Sequence, residues 1–121
     1  MVVVPDFLIK RIYQKGSLKK LEDGASVTLK NVLGPGFISG FNYVKINDTV
    51  YEPKDVKFIT NGQELLGTEV SETSPVAFRL GQSGVLVMNG QCSVVDGINK
   101  IVIEAMNPEA GVVKLSVEDN V

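Results

Sequence analysis

Apolar and polar residues alternate over several short stretches of the chain. Val27, Leu29 and Leu33 share one parity, and Ser26, Thr28 and Lys30 take the other. The same period recurs in Val76, Phe78 and Leu80, in Ile101, Ile103 and Ala105, and in Val113, Leu115 and Val117. Side chains of a strand point alternately to the two faces of a sheet, so this period sets one row against a core and the other toward water. Valine and isoleucine dominate the runs and suit pleated, half-buried positions. Between the runs stand Asp23-Gly24, Asn47-Asp48, Asn61-Gly62, Asn89-Gly90 and Asp96-Gly97. These are turn residues, and Asn-Gly is the strongest short hairpin signal. Turn signals at such short, regular intervals belong to all-β folds. The pattern predicts an antiparallel β-sandwich with immunoglobulin- or fibronectin-like layering. A closed barrel shares the period and stands as the alternative.

Two segments are ambiguous. Residues 6–14 read as a strand in preference to a short helix capped by Asp6, because a helix ending at Gly16 would be short. Residues 63–67 read as a helical turn or an irregular connection. Two strands carry apolar residues on both faces. In 37–46, alternation puts Phe37, Phe41 and Tyr43 on one face and Ile38, Val44 and Ile46 on the other. Val85-Leu86-Val87-Met88 is continuous. A sandwich strand needs only one buried face, so the second face asks for a cover: more of this chain, a second copy or another protein.

Composition narrows the function. The chain has 121 residues, of which 44% are hydrophobic and 21% charged. That is expected to form a single β-sandwich domain over 1–121, long enough to bury a real core. Histidine is absent, which removes the commonest general acid-base group and the Ser-His-Asp and Cys-His constellations. Zinc sites of the usual Cys/His kind go with it. Cys92 is the one cysteine. No intramolecular disulfide is possible, and a lone thiol fits a reducing, cytoplasmic location. Its sequence neighbours include no basic group to activate it, so it reads as a buried, inert thiol. Met1-Val2-Val3-Val4-Pro5-Asp6 does not have the layout of a secretory signal, and no apolar run is long enough to span a bilayer. The net charge is -2, with +3 in residues 1–30 and -5 in the remainder. The basic third holds Lys10, Arg11, Lys15, Lys19 and Lys20. An acidic chain with no basic domain is a poor nucleic-acid binder, so those lysines read as solvated.

No catalytic, cofactor or metal residues stand out. Asp23, Asp48, Asp55 and Asp96 are the acids near turns, where aspartate has an ordinary structural role. Neither Asn47-Asp48 nor Glu52–Asp55 makes a calcium loop. Gly34-Pro35-Gly36 lacks the lysine and helix of a phosphate loop, but it can hold a special backbone shape for a partner. Phe37, Phe41 and Tyr43 offer a stacking platform for a sugar or base, with core packing as the plainer reading. The candidate partner interface is therefore Gly34, Pro35, Gly36, Phe37, Phe41 and Tyr43. The expected partner is another copy or a different chain in a homo- or hetero-oligomer. Neither nucleic acid nor membrane is expected, and a small-molecule ligand stays undefined.

The order of short motifs resembles the small β subunits of C-glycoside deglycosidases. It runs through Gly16-Ser17-Leu18, Glu22-Asp23-Gly24, Val44-Lys45-Ile46-Asn47-Asp48, Tyr51-Glu52-Pro53-Lys54-Asp55-Val56, Asn61-Gly62 and Asp96-Gly97-Ile98-Asn99-Lys100-Ile101. The resemblance covers roughly residues 7–105. It implies an all-β accessory or scaffolding subunit with no activity of its own, beside a TIM-barrel partner that holds the metal and the catalytic residues. A stand-alone binding module for a small molecule or carbohydrate is the other expectation.

Overall fold

In the computed structural model, which describes residues 5–34 and 36–121, the alternating runs become strands. Met1–Val4 and Pro35 lie outside the described residues. In chain order the strands are β1 (Lys19–Leu21), β2 (Gly24–Lys30), β3 (Phe37–Ile38), β4 (Gly40–Ile46), β5 (Thr49–Tyr51), β6 (Val56–Thr60), β7 (Gln63–Leu66), β8 (Val76–Ala77), β9 (Ser83–Asn89), β10 (Ile98–Asn107) and β11 (Gly111–Asn120). One sheet has the order β1-β2-β9-β6-β7, and a second has the order β11-β10-β4-β5. The pair β3-β8 forms a small separate ribbon. The strand pairs are antiparallel. The fold is all-β and sandwich-like, and the described residues form no closed barrel.

The predicted parities hold in the core. Val27, Leu29, Phe58, Leu86 and Met88 of the first sheet are buried, as are Phe41, Val44, Ile46, Ile101, Ile103 and Leu115 of the second. Phe58 ties the layers together. Its ring lies 5.4 Å from that of Phe41 and 5.6 Å edge-on from that of Phe78. Such aromatic pairs add about 0.5–1.5 kcal/mol each beyond their buried area. Gly84 makes room for this ring, since a Cβ there would stand 2.4 Å from Phe58 carbons. The Asn61-Gly62 turn has φ of 55° and 79°, the left-handed pair that joins β6 to β7 with the twist of a two-residue hairpin.

The apolar stretch 37–46 is not one doubly apolar strand. The chain pairs as β3 at Phe37–Ile38, passes Ser39, and starts again as β4. Within β4 the pairing jumps: Tyr43 faces Glu104 while Phe41 faces Ala105, which leaves Asn42 as an extra residue. A bulge of this kind resets the alternation. Phe41, Val44 and Ile46 all point inward and Tyr43 points out, so simple parity misassigned the faces. The second expected double face is ordinary: Leu86 and Met88 are buried, while Val85 and Val87 are half-buried on the outer side of a central strand.

Two local expectations change. Residues 6–12 are helical, as α1 (Asp6–Ile9) followed by a 3-10 turn at Lys10–Ile12, and not a strand. Only Tyr13 makes a bridge, to Leu29. Packing of Ile9 and Ile12 against the core sustains a helix too short to stand alone. Residues 63–66 form β7, an edge strand held by its hairpin with β6.

Candidate functional site

The sandwich is open at one end. A cavity of about 430 Å3 enters there between the sheets. Leu29, Phe41, Phe78, Ile103 and Leu115 extend the core into it, and Ile9 and Ile12 of the helical segment form one wall. Leu33, Gly34, Gly36 and Phe37 lie on its rim, opposite the β10–β11 turn at Asn107–Ala110.

Two asparagines build that rim and are consumed in doing so. The Asn31 amide donates to the Phe78 carbonyl at 2.6 Å and to the Gly34 carbonyl, and its oxygen accepts from the Leu33 amide at 3.0 Å. The Asn107 amide donates to the Phe37 carbonyl at 2.9 Å, while its oxygen accepts from the Glu109 and Ala110 amides. Asn31 uses both amide N–H groups and Asn107 one, and among the described residues Glu109 is the one ionisable side chain on the lining. The remaining wall is apolar. The groove is built to take an apolar group, with little to grip a polar one.

Apolar side chains also crowd the outside of this end. Phe37 is 51% exposed and Leu80 62%. Val32 and Leu33 are exposed beside them. The Arg79–Gln82 loop is pinned against Asn31, which bonds to Gly81 and Gln82 through its backbone. Large exposed apolar residues around a groove make this end the candidate interaction surface.

The other end is closed by polar side chains. Asn99 is fully buried. Its oxygen accepts from the Val95 amide and from Asn47, and its nitrogen donates to the Val95 and Gly97 carbonyls. Asn47, at φ 54°, also donates to the Ser93 carbonyl at 2.7 Å and accepts from the Lys100 amide at 3.0 Å. Near it, the buried Asp119 of β11 accepts from the Tyr13 hydroxyl, from the Gly16 amide at 2.9 Å and from the Leu18 amide at 3.3 Å. Burial works to raise the pKa of Asp119, but the bonds from Tyr13, Leu18, Asn120 and Gly16 outweigh it and hold the carboxylate below its usual range. Burial, reinforced by the bond to that carboxylate, pushes the Tyr13 phenol far above its ordinary value. This clip fastens the segment after α1 to the last strand.

Of the expected interface residues, the structure brings Gly34, Gly36, Phe37 and Phe41 to the groove. Phe41 is a buried wall residue and not a free platform. Tyr43 is absent from the lining, because the bulge turns it to the outer face. Pro35 is not described. The candidate acids are dispersed: Asp23 in the β1–β2 turn, Asp48 in the β4–β5 turn, Asp55 closing a 3-10 turn and Asp96 ahead of β10. Among the described residues no cluster of His, Cys, Asp or Glu is placed to hold a metal ion. Cys92 is half-buried rather than buried. Sequence reasoning missed Asp119 and Asn99, although parity pointed to both. Asp119 continues the inward row of Val113, Leu115 and Val117, and Asn99 begins the row of Ile101 and Ile103.

Among the described residues no helix is long and apolar enough to cross a membrane. No curated protein matches the chain. The resemblance to C-glycoside deglycosidase small subunits does not hold, and the expected TIM-barrel glycosidase partner falls with it. Most of the motifs that carried it are turns, such as Glu22-Asp23-Gly24, Asn47-Asp48 and Asn61-Gly62, and turn chemistry recurs in any hairpin-rich fold. Residues 8–121 instead match the family model described as "Hydroxymethylglutaryl-CoA reductase, N-terminal domain", and the chain belongs to that family.

Proposed function

We propose that this chain acts as one assembly domain of a hydroxymethylglutaryl-CoA reductase-type enzyme, docking through its open end onto the polypeptide that carries the reductase chemistry. The family description supports a domain that works with the rest of a reductase. The observation that carries the reading is the apolar groove rimmed by Leu33 and Phe37, with Val32 and Leu80 exposed at the same end. The occupant is an apolar segment of the reductase polypeptide, because the lining offers almost no free polar group. The chain lacks histidine, so histidine-dependent steps would fall to that polypeptide. The assembly is cytoplasmic in this reading, in keeping with a lone cysteine.

Light scattering of the chain, alone and mixed with a purified catalytic polypeptide of such a reductase from the same source, tests this. The expected result is a stoichiometric complex that Phe37→Asp and Leu80→Asp each abolish while the chain stays folded. No complex, or one indifferent to both substitutions, overturns the reading. Self-association through the same end, without the catalytic polypeptide, overturns it in favour of a homo-oligomer.

A further inference from the structure

The basic residues of the first third are exposed, as expected, but two of them share a groove with a lysine from β10. Lys10 and Lys15 flank Tyr13, and Lys100 lies on β10, yet all three line one groove of about 480 Å3. Ser116 and Glu118 of β11 complete its wall with Tyr13. Lys100 and Glu118 are cross-strand neighbours. Even so, among the described residues only Lys54 has a carboxylate at ion-pair distance. The groove therefore gathers a net charge of +2 on a molecule whose overall charge is -2. Like charges collected around one depression repel, and an anion placed between them relieves that repulsion.

The backbone carrying two of these lysines is fixed. Asp119 holds Tyr13, Gly16 and Leu18, so the stretch from Lys10 to Lys15 is anchored to the strand that supplies Ser116. Ammonium groups are compact point charges with rotatable donors, lacking the planar fork that suits a carboxylate. Two of them reach from the Lys10–Lys15 stretch and one from β10, so they can turn toward one oxyanion between them, with the Ser116 hydroxyl as a further donor. We infer that this groove binds a small phosphate-bearing dianion.

Amide chemical shifts of the full chain, titrated with inorganic phosphate near pH 8 at low ionic strength, test the inference, with malonate as the dicarboxylate arm of equal charge. Expected are saturable shifts confined to residues near Lys10–Lys15, Lys100 and Ser116. Lys15→Gln and Lys100→Gln should each weaken binding about tenfold, the scale of losing one charge-assisted bond. Lys20→Gln, on β1 and outside the groove, should leave it unchanged. Glu118→Gln should tighten it, because a negative wall is removed. Shifts scattered over every lysine-bearing surface, equal losses from Lys20→Gln, or malonate binding as tightly as phosphate would overturn the inference.

Discussion

The two ends of this sandwich solve the same problem in opposite ways. At the Asn47–Asn99 end, buried Asn99 and half-buried Asn47 fasten the connection between β9 and β10 with paired donors and acceptors. At the groove end, Asn31 and Asn107 spend their hydrogen bonds on shaping loops, and apolar residues are left facing outward. A satisfied polar network fixes one arrangement and is costly to break. An exposed apolar rim adds little to the stability of the lone chain but offers area for a partner to bury. Paired polar groups are thus concentrated at one end, and the apolar surface on which the proposed docking rests at the other.

That division can be broken most directly at Asp119. Asp119→Ala leaves the Tyr13 hydroxyl and the Gly16 and Leu18 amides without their acceptor, and each such loss costs about 1–3 kcal/mol. A drop of about 3 kcal/mol or more in urea unfolding is expected, and a drop below about 1 kcal/mol would show that the clip is dispensable. Next is Asn99→Leu, which strands the Asn47 and Val95 donors. About 2 kcal/mol should be lost, with no effect on assembly if the ends are independent. Gly84→Ala probes the shared middle. Overpacking against Phe58 should cost about 1–3 kcal/mol, readable as a lower unfolding midpoint.

The pH profile sharpens the contrast. An unfolded aspartate titrates near pH 4, and folded Asp119 lies lower. Its contribution is present above about pH 4 and is lost as pH falls through the folded value. Tyr13 runs the other way. Its folded pKa is raised, so its contribution is full below about pH 10 and is lost as pH rises toward the folded value. Tyr13→Phe should flatten the alkaline fall and shrink the acid one in pH-dependent denaturation. The smallest stability change is expected at the groove, where Phe37→Ser should shift unfolding by no more than about 0.5 kcal/mol while weakening assembly. A large loss of stability there would mean that Phe37 is core and not interface.

Much of the fold was legible because strand parity and turn chemistry are local. Val27 and Leu29, Ile101 and Ile103, and Asn61-Gly62 all take the predicted places. Parity failed at Asn42, since a bulge is set by the partner strand and leaves no mark in the strand's own alternation. The helical turn at Asp6–Ile12 was hidden for a related reason: Ile9 and Ile12 are held by tertiary packing that outweighs local preference. The groove was partly visible through Gly34, Gly36 and Phe37. Its depth depends on Leu29, Phe78 and Ile103, which meet only when the sheets stack. The lysine groove was invisible because Lys100 is some ninety residues from Lys10 and only the β10–β11 pairing brings it near.

The Tyr13–Asp119 bond spans 106 positions of the chain, and this has a consequence for how the molecule matures. Closing a contact of that separation costs more chain entropy than a local pairing does. Until β11 is in place, the segment bearing Ile9 and Ile12 is tied to β2 through the Tyr13–Leu29 bridge but lacks its bond to Asp119, and the groove lacks Val113 and Leu115. A chain short of its last strand therefore exposes Phe37 and Leu80 before the groove beside them has its full lining.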